Sequence, residues 1–126
     1  MLQRRSADKD LYPGLWDFAV GEHLTPGESY VAAAARGVLE ELGVETQPTL
    51  LGEPVRYVWE DLAVGVSDKE LQQAFSVTHD GPFDVDPLEV AEVRWFDLAA
   101  IRRWLGRSPA DFTPWFVAEA ERLSLF

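Results

Sequence analysis

Residues 21–44 read GEHLTPGESYVAAAARGVLEELGV, a polar loop running into one amphipathic helix. Gly21, Pro26 and Gly27 break regular structure as far as Glu28. Ser29 stands where a hydroxyl can accept from the free amides of a first helical turn. Val31, Ala34, Ala35, Val38 and Leu42 recur at helical spacings, which predicts that they form one buried face. Gly43 is placed for the left-handed residue that ends a helix. The predicted helix therefore runs from about Ser29 to Leu42.

Its charges are placed unfavourably for a simple surface helix. Glu28 lies at the junction of loop and helix, while Glu40 and Glu41 occupy the last turn, facing the negative end of the helix dipole. A divalent cation would relieve that arrangement. Mg²⁺ is a hard ion that takes carboxylate oxygens and keeps waters for a phosphate substrate. Arg36, one turn before Glu40, can bridge to it or reach back to Glu28. A solvated acidic helix end with an i,i+4 ion pair would use the same residues, so the spacing alone leaves both readings open.

Outward from the helix, the pattern is strand-rich. Leu2 to Arg5 reads as a short strand, with Arg4 and Arg5 on opposite sides of it. Ser6 to Gly14 is turn-forming, and Leu15 to Val20 suits a partly buried strand. Thr49 to Glu60 is strand-like but interrupted near Gly52 to Pro54, with Val55, Tyr57 and Trp59 on one face. Leu71 to His79 and Val93 to Phe96 are further strands, the first ending in the turn Asp80-Gly81-Pro82. A helix follows from Asp97 to about Leu105, with Leu98, Ile101, Trp104 and Leu105 as its buried stripe. The last helix begins at Thr113, with Pro114 at the position where a missing N–H costs nothing. The expected class is α+β, one domain over residues 1–126.

Composition sets the outer limits. A chain of 126 residues supports a single core. It has no cysteine, which removes disulfides, thiolate nucleophiles and cysteine-bearing metal sites. Eleven basic against 22 acidic residues give −11, a field opposed to duplex nucleic acid and to anionic membrane surfaces. No apolar run nears the ~18 residues of a membrane span. MLQRRSADKD lacks the apolar centre of a signal peptide, so the expectation is a cytoplasmic protein without nucleic-acid or membrane partners.

The segment from Glu22 to Val44 resembles the Nudix box of the Nudix hydrolases. Glu28, Arg36, Val38, Glu40, Glu41, Gly43 and Val44 match its pattern, with seven residues between Glu28 and Arg36. The flanking stretches LQRRSADKDLYPGLWDFAVGEH, HDGPF, EVAEVRWFDL and DFTPWF are similar to the isopentenyl-diphosphate-isomerase-like branch of that family. The resemblance implies a Nudix fold, a mixed sheet packed between helices, with a short N-terminal part. It implies a Mg²⁺-dependent hydrolase, with Mn²⁺ as the alternative ion, cleaving a diphosphate (for example a nucleoside diphosphate) linked to another moiety, with water as nucleophile. On that resemblance Glu28, Glu40 and Glu41 hold the metal and Arg36 orients them. Arg5 and Lys9 neutralise phosphate oxygens, His23 takes a metal-binding histidine's place beside the substrate, and Trp115 and Phe116 wall the pocket. Glu89 and Glu92 are the carboxylates outside the box that such enzymes use as base.

Two positions depart from the pattern. The first glycine of the box is Glu22, and the glutamate after the arginine is Gly37. One reading is that Gly37 merely admits a neighbouring segment. The sharper expectation is that Glu22 enters the vacated space and returns the carboxylate, which makes Glu22, Arg36, Glu40 and Glu41 the expected catalytic set. The loss at Gly37 also favours an alternative, an inactive diphosphate-binding or regulatory domain. An isomerase relative is the third reading, opposed by Gly21 in the place of that enzyme's cysteine. The abrupt start before Leu2 predicts a sheet completed by a second copy, a homodimer, or a chain whose start lies upstream.

Overall fold

The computed structural model describes residues 1–126. β1 (Leu2–Arg5) is the middle of a three-stranded antiparallel sheet, between β2 (Trp16–Phe18) and β5 (Val90–Arg94). Gln3 lies opposite Asp17 on one side and Val93 on the other. Successive strand residues face opposite ways, so one face carries Leu2, Trp16 and Phe18. That face forms the main core with Ile101 of α2 (Leu98–Arg107), with Phe112, and with Phe116 and Ala120 of α3 (Pro114–Arg122). The other face carries Gln3, Arg5 and Asp17 and is covered in part by α1 (Tyr30–Leu42). Val38 and Leu42 of α1 pack there with Val20 and Val93. Helices therefore cover both faces of the sheet, the expected α+β layering.

β1 is paired on both sides. The outer edge of β2 takes a parallel bridge from Phe112 to Trp16, and the Thr113 N–H donates to the Trp16 carbonyl at 2.9 Å. That bridge gives the sheet its mixed character. The unpaired inner edge that pointed to a second copy is absent from this sheet.

α1 has the predicted ends. Ser29 Oγ accepts from the Ala32 N–H, and Gly43 closes the helix at φ 67°, donating to the Leu39 carbonyl. Its buried face is rotated from the expected one. Ala33, Gly37, Val38, Glu41 and Leu42 are buried, whereas Val31 is 47% exposed. The run of alanines fits either face, and the tight approach of Val20 and Glu22 to Gly37 decides between them.

β3 (Thr49–Asp61) and β4 (Val66–Ser76) form a separate hairpin. Its register shifts between Leu51 and Val55, at the predicted interruption. A side chain at Gly52 would meet Leu123 at 2.7 Å, so the base of the hairpin rests on the end of α3. β4 begins at Val66, before the predicted Leu71, and stops at Ser76. Its first half alternates polar residues, Asp68 and Glu70, on the inner side, which hides the strand from an apolar pattern. β5 begins at Val90, also earlier than expected. In α2, Leu98 is 62% exposed, so the buried stripe narrows to Ile101, Trp104 and Leu105. Asp97 precedes α2 but makes no side-chain capping bond, and a short 3-10 turn, Pro109–Asp111, was not expected. Thr113 caps α3 as predicted, accepting from the Phe116 N–H. No helix is long and apolar enough to cross a membrane.

Candidate functional site

Arg36 is the hub of the loop–helix junction. Its Nε donates to Glu28 Oε1 at 2.9 Å and its Nη2 to Glu28 Oε2 at 3.0 Å, a two-pronged pair. Nη2 also donates to the His23 carbonyl at 2.8 Å. Nη1 reaches Glu22 Oε2 at 3.1 Å and Glu40 Oε2 at 3.3 Å. Thr25 completes the junction, donating to Glu28 Oε2 from its N–H and its hydroxyl. These bonds, led by Arg36, hold the Glu28 carboxyl down at about 2. Glu22, Glu28 and Glu40 are thus gathered on one guanidinium. Glu28, expected as a metal ligand, has both oxygens engaged by Arg36 and Thr25.

Glu41 stands apart from them. It is buried beneath α1, where Gln3 Nε2 donates to its Oε2 at 3.3 Å. Burial pushes its carboxyl up to about 7, helped by the charges of Glu22 and Glu89 and opposed by Gln3 and Lys9. Gln3 Oε1 is buried with no partner. The stem of Glu22 fills the space beside Gly37, where an added Cβ would lie 3.0 Å from Glu22 Cβ and 3.0 Å from Val20 Cγ1. Glu22 thus takes the space beside Gly37 with its stem, while its carboxylate lies on Arg36.

Arg5, Lys9, Leu11, Leu88 and Glu89 line a cavity of about 340 Å³, together with Asp8 and Asp10. Lys9 Nζ is paired with Glu89 Oε2. Ser6 N–H donates to the Glu89 carbonyl, and Asp86 N–H to that of Glu41, so the loop before β5 is tied both to the Lys9 loop and to the end of α1. Glu92, by contrast, pairs with Arg94 and Arg4 on the opposite face. Trp115 borders the Arg5 side, its ring edge-on to Tyr12 at 5.4 Å, while Phe116 is fully buried in the core. The two aromatics expected to wall the pocket are thus divided between site and core.

The hairpin reaches this region through polar side chains, Glu70 near His23 and Trp59 and Asp61 on Tyr12. Tyr57 sits opposite Glu70 in the β3–β4 register. The Tyr57 hydroxyl is buried without a partner, and burial pushes it up to about 12. His23 is 91% exposed, with Nε2 3.6 Å from Glu70 Oε2. Trp59 Nε1 donates to the Tyr12 hydroxyl at 2.8 Å, which donates to Asp61 Oδ2 at 3.0 Å, latching hairpin to loop. Gln3, Asp17, Tyr57 and Glu70 were not among the expected site residues. Only Asp17 among them carries a signal in the sequence, a charged residue between the apolar Trp16 and Phe18.

The donors near Glu41 are all oxygens: the carboxylates of Glu22 and Glu89 and the free carbonyl of Gln3. That set suits a hard divalent cation, which would supply the positive charge that burial of Glu41 lacks. No three Asp, Glu or His side chains converge on a single point in this arrangement, since Arg36 engages Glu22 and Glu40.

The NUDIX domain family model matches residues 1–116. Among curated proteins, the chain is 40% identical over 121 residues to the isopentenyl-diphosphate Delta-isomerase of Nocardia farcinica, covering 96% of this chain and 69% of that one. It is 36% identical over 117 residues to the protein of the same name from Cereibacter sphaeroides, covering 91% and 66%. The chain thus spans about two thirds of the length of these relatives. Among solved structures it is similar to a MutT protein from Methanosarcina mazei, with a TM-score of 0.74 and 26% identity over 98% of this chain and 80% of that one.

Proposed function

The chain belongs to the NUDIX domain family, and from that premise we propose that it is a divalent-metal-dependent hydrolase that cleaves a diphosphate linked to a further group. The observation that carries the reading is the buried Glu41, charged only at a cost, near the carboxylates of Glu22 and Glu89 and the cation of Lys9, which shares a cavity with Arg5.

Glu41, Glu40 and Glu22 would hold the cation, Mg²⁺ or Mn²⁺, with the carboxylates of Glu22 and Glu40 shared between it and Arg36. When bound, it polarises the diphosphate and lowers the pKa of a water. Arg36 keeps Glu22 and Glu40 oriented, and Glu28 anchors Arg36. Arg5 and Lys9 bind phosphate oxygens, and Trp115 borders the group beyond. Glu89 accepts the proton of the attacking water, since substrate phosphate competes for the Lys9 that now pairs with it.

A second reading is favoured by the names of the relatives, which are isopentenyl-diphosphate isomerases. The resemblance puts that enzyme's cysteine at position 21. Here that position is a glycine, a Cβ on it would have no neighbour within 4 Å, and the chain carries no thiol. One experiment separates the two. The protein is incubated with a panel of nucleoside, sugar and isoprenoid diphosphates, with and without Mg²⁺, while released phosphate is measured and isopentenyl diphosphate is followed by NMR. Metal-dependent release of phosphate supports the hydrolase. Conversion of isopentenyl diphosphate to its isomer without phosphate release overturns it, and binding without turnover of any substrate identifies the inactive binding domain.

A further inference from the structure

Asp17 is a carboxylate on the outer strand β2, 4% exposed, on the same sheet face as Gln3 and Arg5. Trp115, the Phe18 N–H and Arg5 converge on it, with the buried Thr113 hydroxyl beside them. Trp115 Nε1 donates to Oδ2 at 2.8 Å and to Oδ1 at 3.0 Å, so the indole is held squarely across the carboxylate. The Phe18 N–H donates to Oδ1 at 2.8 Å, and Arg5 Nη1 approaches Oδ2 at 3.5 Å. Arg5 is locked from its other side as well, since Nε and Nη2 both donate to the Leu11 carbonyl at 3.1 and 3.0 Å. Its guanidinium lies over the Trp115 ring at 5.3 Å. A guanidinium has five N–H donors. The internal bonds leave one N–H on each terminal nitrogen, and Arg5 lines the cavity it shares with Lys9. One buried carboxylate therefore fixes both a cation at the cavity wall and the aromatic plane beside it, although 98 residues separate Asp17 from Trp115.

We propose that Asp17 is a positioning residue for substrate binding: it sets Arg5 and Trp115 together, so that the free N–H pair of Arg5 meets a diphosphate while the indole faces the group that the diphosphate carries. The inference rests on the diphosphate reading above. It adds that recognition of phosphate and of the attached group is mechanically joined through one side chain that touches neither.

The test uses the whole chain and inorganic pyrophosphate in the presence of Mg²⁺. Asp17→Asn keeps the shape and one acceptor but removes the charge that faces Arg5. Pyrophosphate should bind about tenfold more weakly, the fold-change of one lost charge-assisted hydrogen bond. The indole N–H resonance of Trp115, identified by its loss in Trp115→Phe, should move, while those of Trp95 and Trp104 stay. With a substrate that is turned over, KM should rise and kcat should change little; a merely structural role would lower the active fraction, and so kcat, without moving KM. Trp115→Phe, which removes the N–H and keeps an aromatic ring, should weaken binding in the same direction and carries the test if Asp17→Asn does not fold. Wild-type affinity and KM in the folded variants would overturn the proposal and leave the hydrolase standing. A wild-type protein that neither binds pyrophosphate nor cleaves any diphosphate would overturn both.

Discussion

Glu22 lies against the α-carbon of Gly37, so closely that a Cβ at that position would stand 3.0 Å from Glu22 Cβ and 3.3 Å from its Cγ. The loop side chain and the helix position compete for one volume. A glutamate can occupy it from the loop or from the helix, but not from both.

That competition predicts non-additive behaviour. Gly37→Glu alone should lower the melting temperature, because the new side chain meets Glu22 and Val20. Glu22→Gly alone should weaken Mg²⁺ binding. The double variant should recover part of both losses, as coupled neighbours do. Calorimetric Mg²⁺ titrations and thermal unfolding of the four proteins supply the cycle, and additive effects would break the link between the two positions.

The assignment of Glu40 and Glu41 to the metal makes a second prediction. Glu40→Gln with Glu41→Gln should abolish saturable Mg²⁺ binding and leave the far-UV circular dichroism unchanged. Glutamine keeps the size of both side chains, and at Glu41 it removes a charge that burial disfavours. Unchanged Mg²⁺ affinity in the double variant would move the site elsewhere.

Gly43 offers a test of how the site is braced. Its φ is 67°, and a Cβ there would lie 2.8 Å from Asp84 Cβ and 3.2 Å from the Asp84 carbonyl. Gly43→Ala should lower stability by at least about 1–2 kcal/mol, the cost of the left-handed conformation for a residue with a side chain. It should also loosen the 84–89 loop, where the Asp84 N–H donates to the Leu42 carbonyl. Urea unfolding measures the first effect. Amide exchange at Asp84 and Asp86 measures the second, and protection as in wild type would contradict it.

Asp17 gives the pH dependence. Burial, its largest influence, raises its carboxyl above the ordinary value of 3.8, against the bonds from Trp115 and Phe18 and the charge of Arg5. Between the unfolded and folded values the native state holds more protons than the unfolded chain, so this group's contribution is complete below 3.8 and declines as pH rises through the folded value. The stability of wild type relative to Asp17→Asn should therefore fall as pH increases from about 3.5 toward 7. Melting curves of both proteins across that range check the sign, and a difference that grows in favour of wild type would reverse it.

The elements of this chain were largely legible from local signals. Ser29 and Gly43 mark the ends of α1, Pro114 the start of α3, and Gly52 the break in β3, because caps, turns and left-handed positions depend on a few adjacent residues. Glu28 and Arg36 were also legible as a pair, lying two turns apart along one loop–helix junction.

Packing decided the rest. Apolar periodicity placed Val31 on the buried face of α1, yet the structure buries Glu41 and exposes Val31, because an alanine-rich helix can present either side. The choice is made by Gln3, Val20 and Glu22, which come from strand and loop to meet Glu41 and Gly37. Asp17 reads as a polar interruption in an apolar strand until Trp115 and Arg5 are brought to it. Sequence by itself determined which segments are helix or strand and which family pattern they carry, since those depend on short-range spacing. Only the tertiary structure decided which carboxylates are buried, paired or free, since desolvation and charge pairing depend on groups that chain distance keeps apart until the sheet forms.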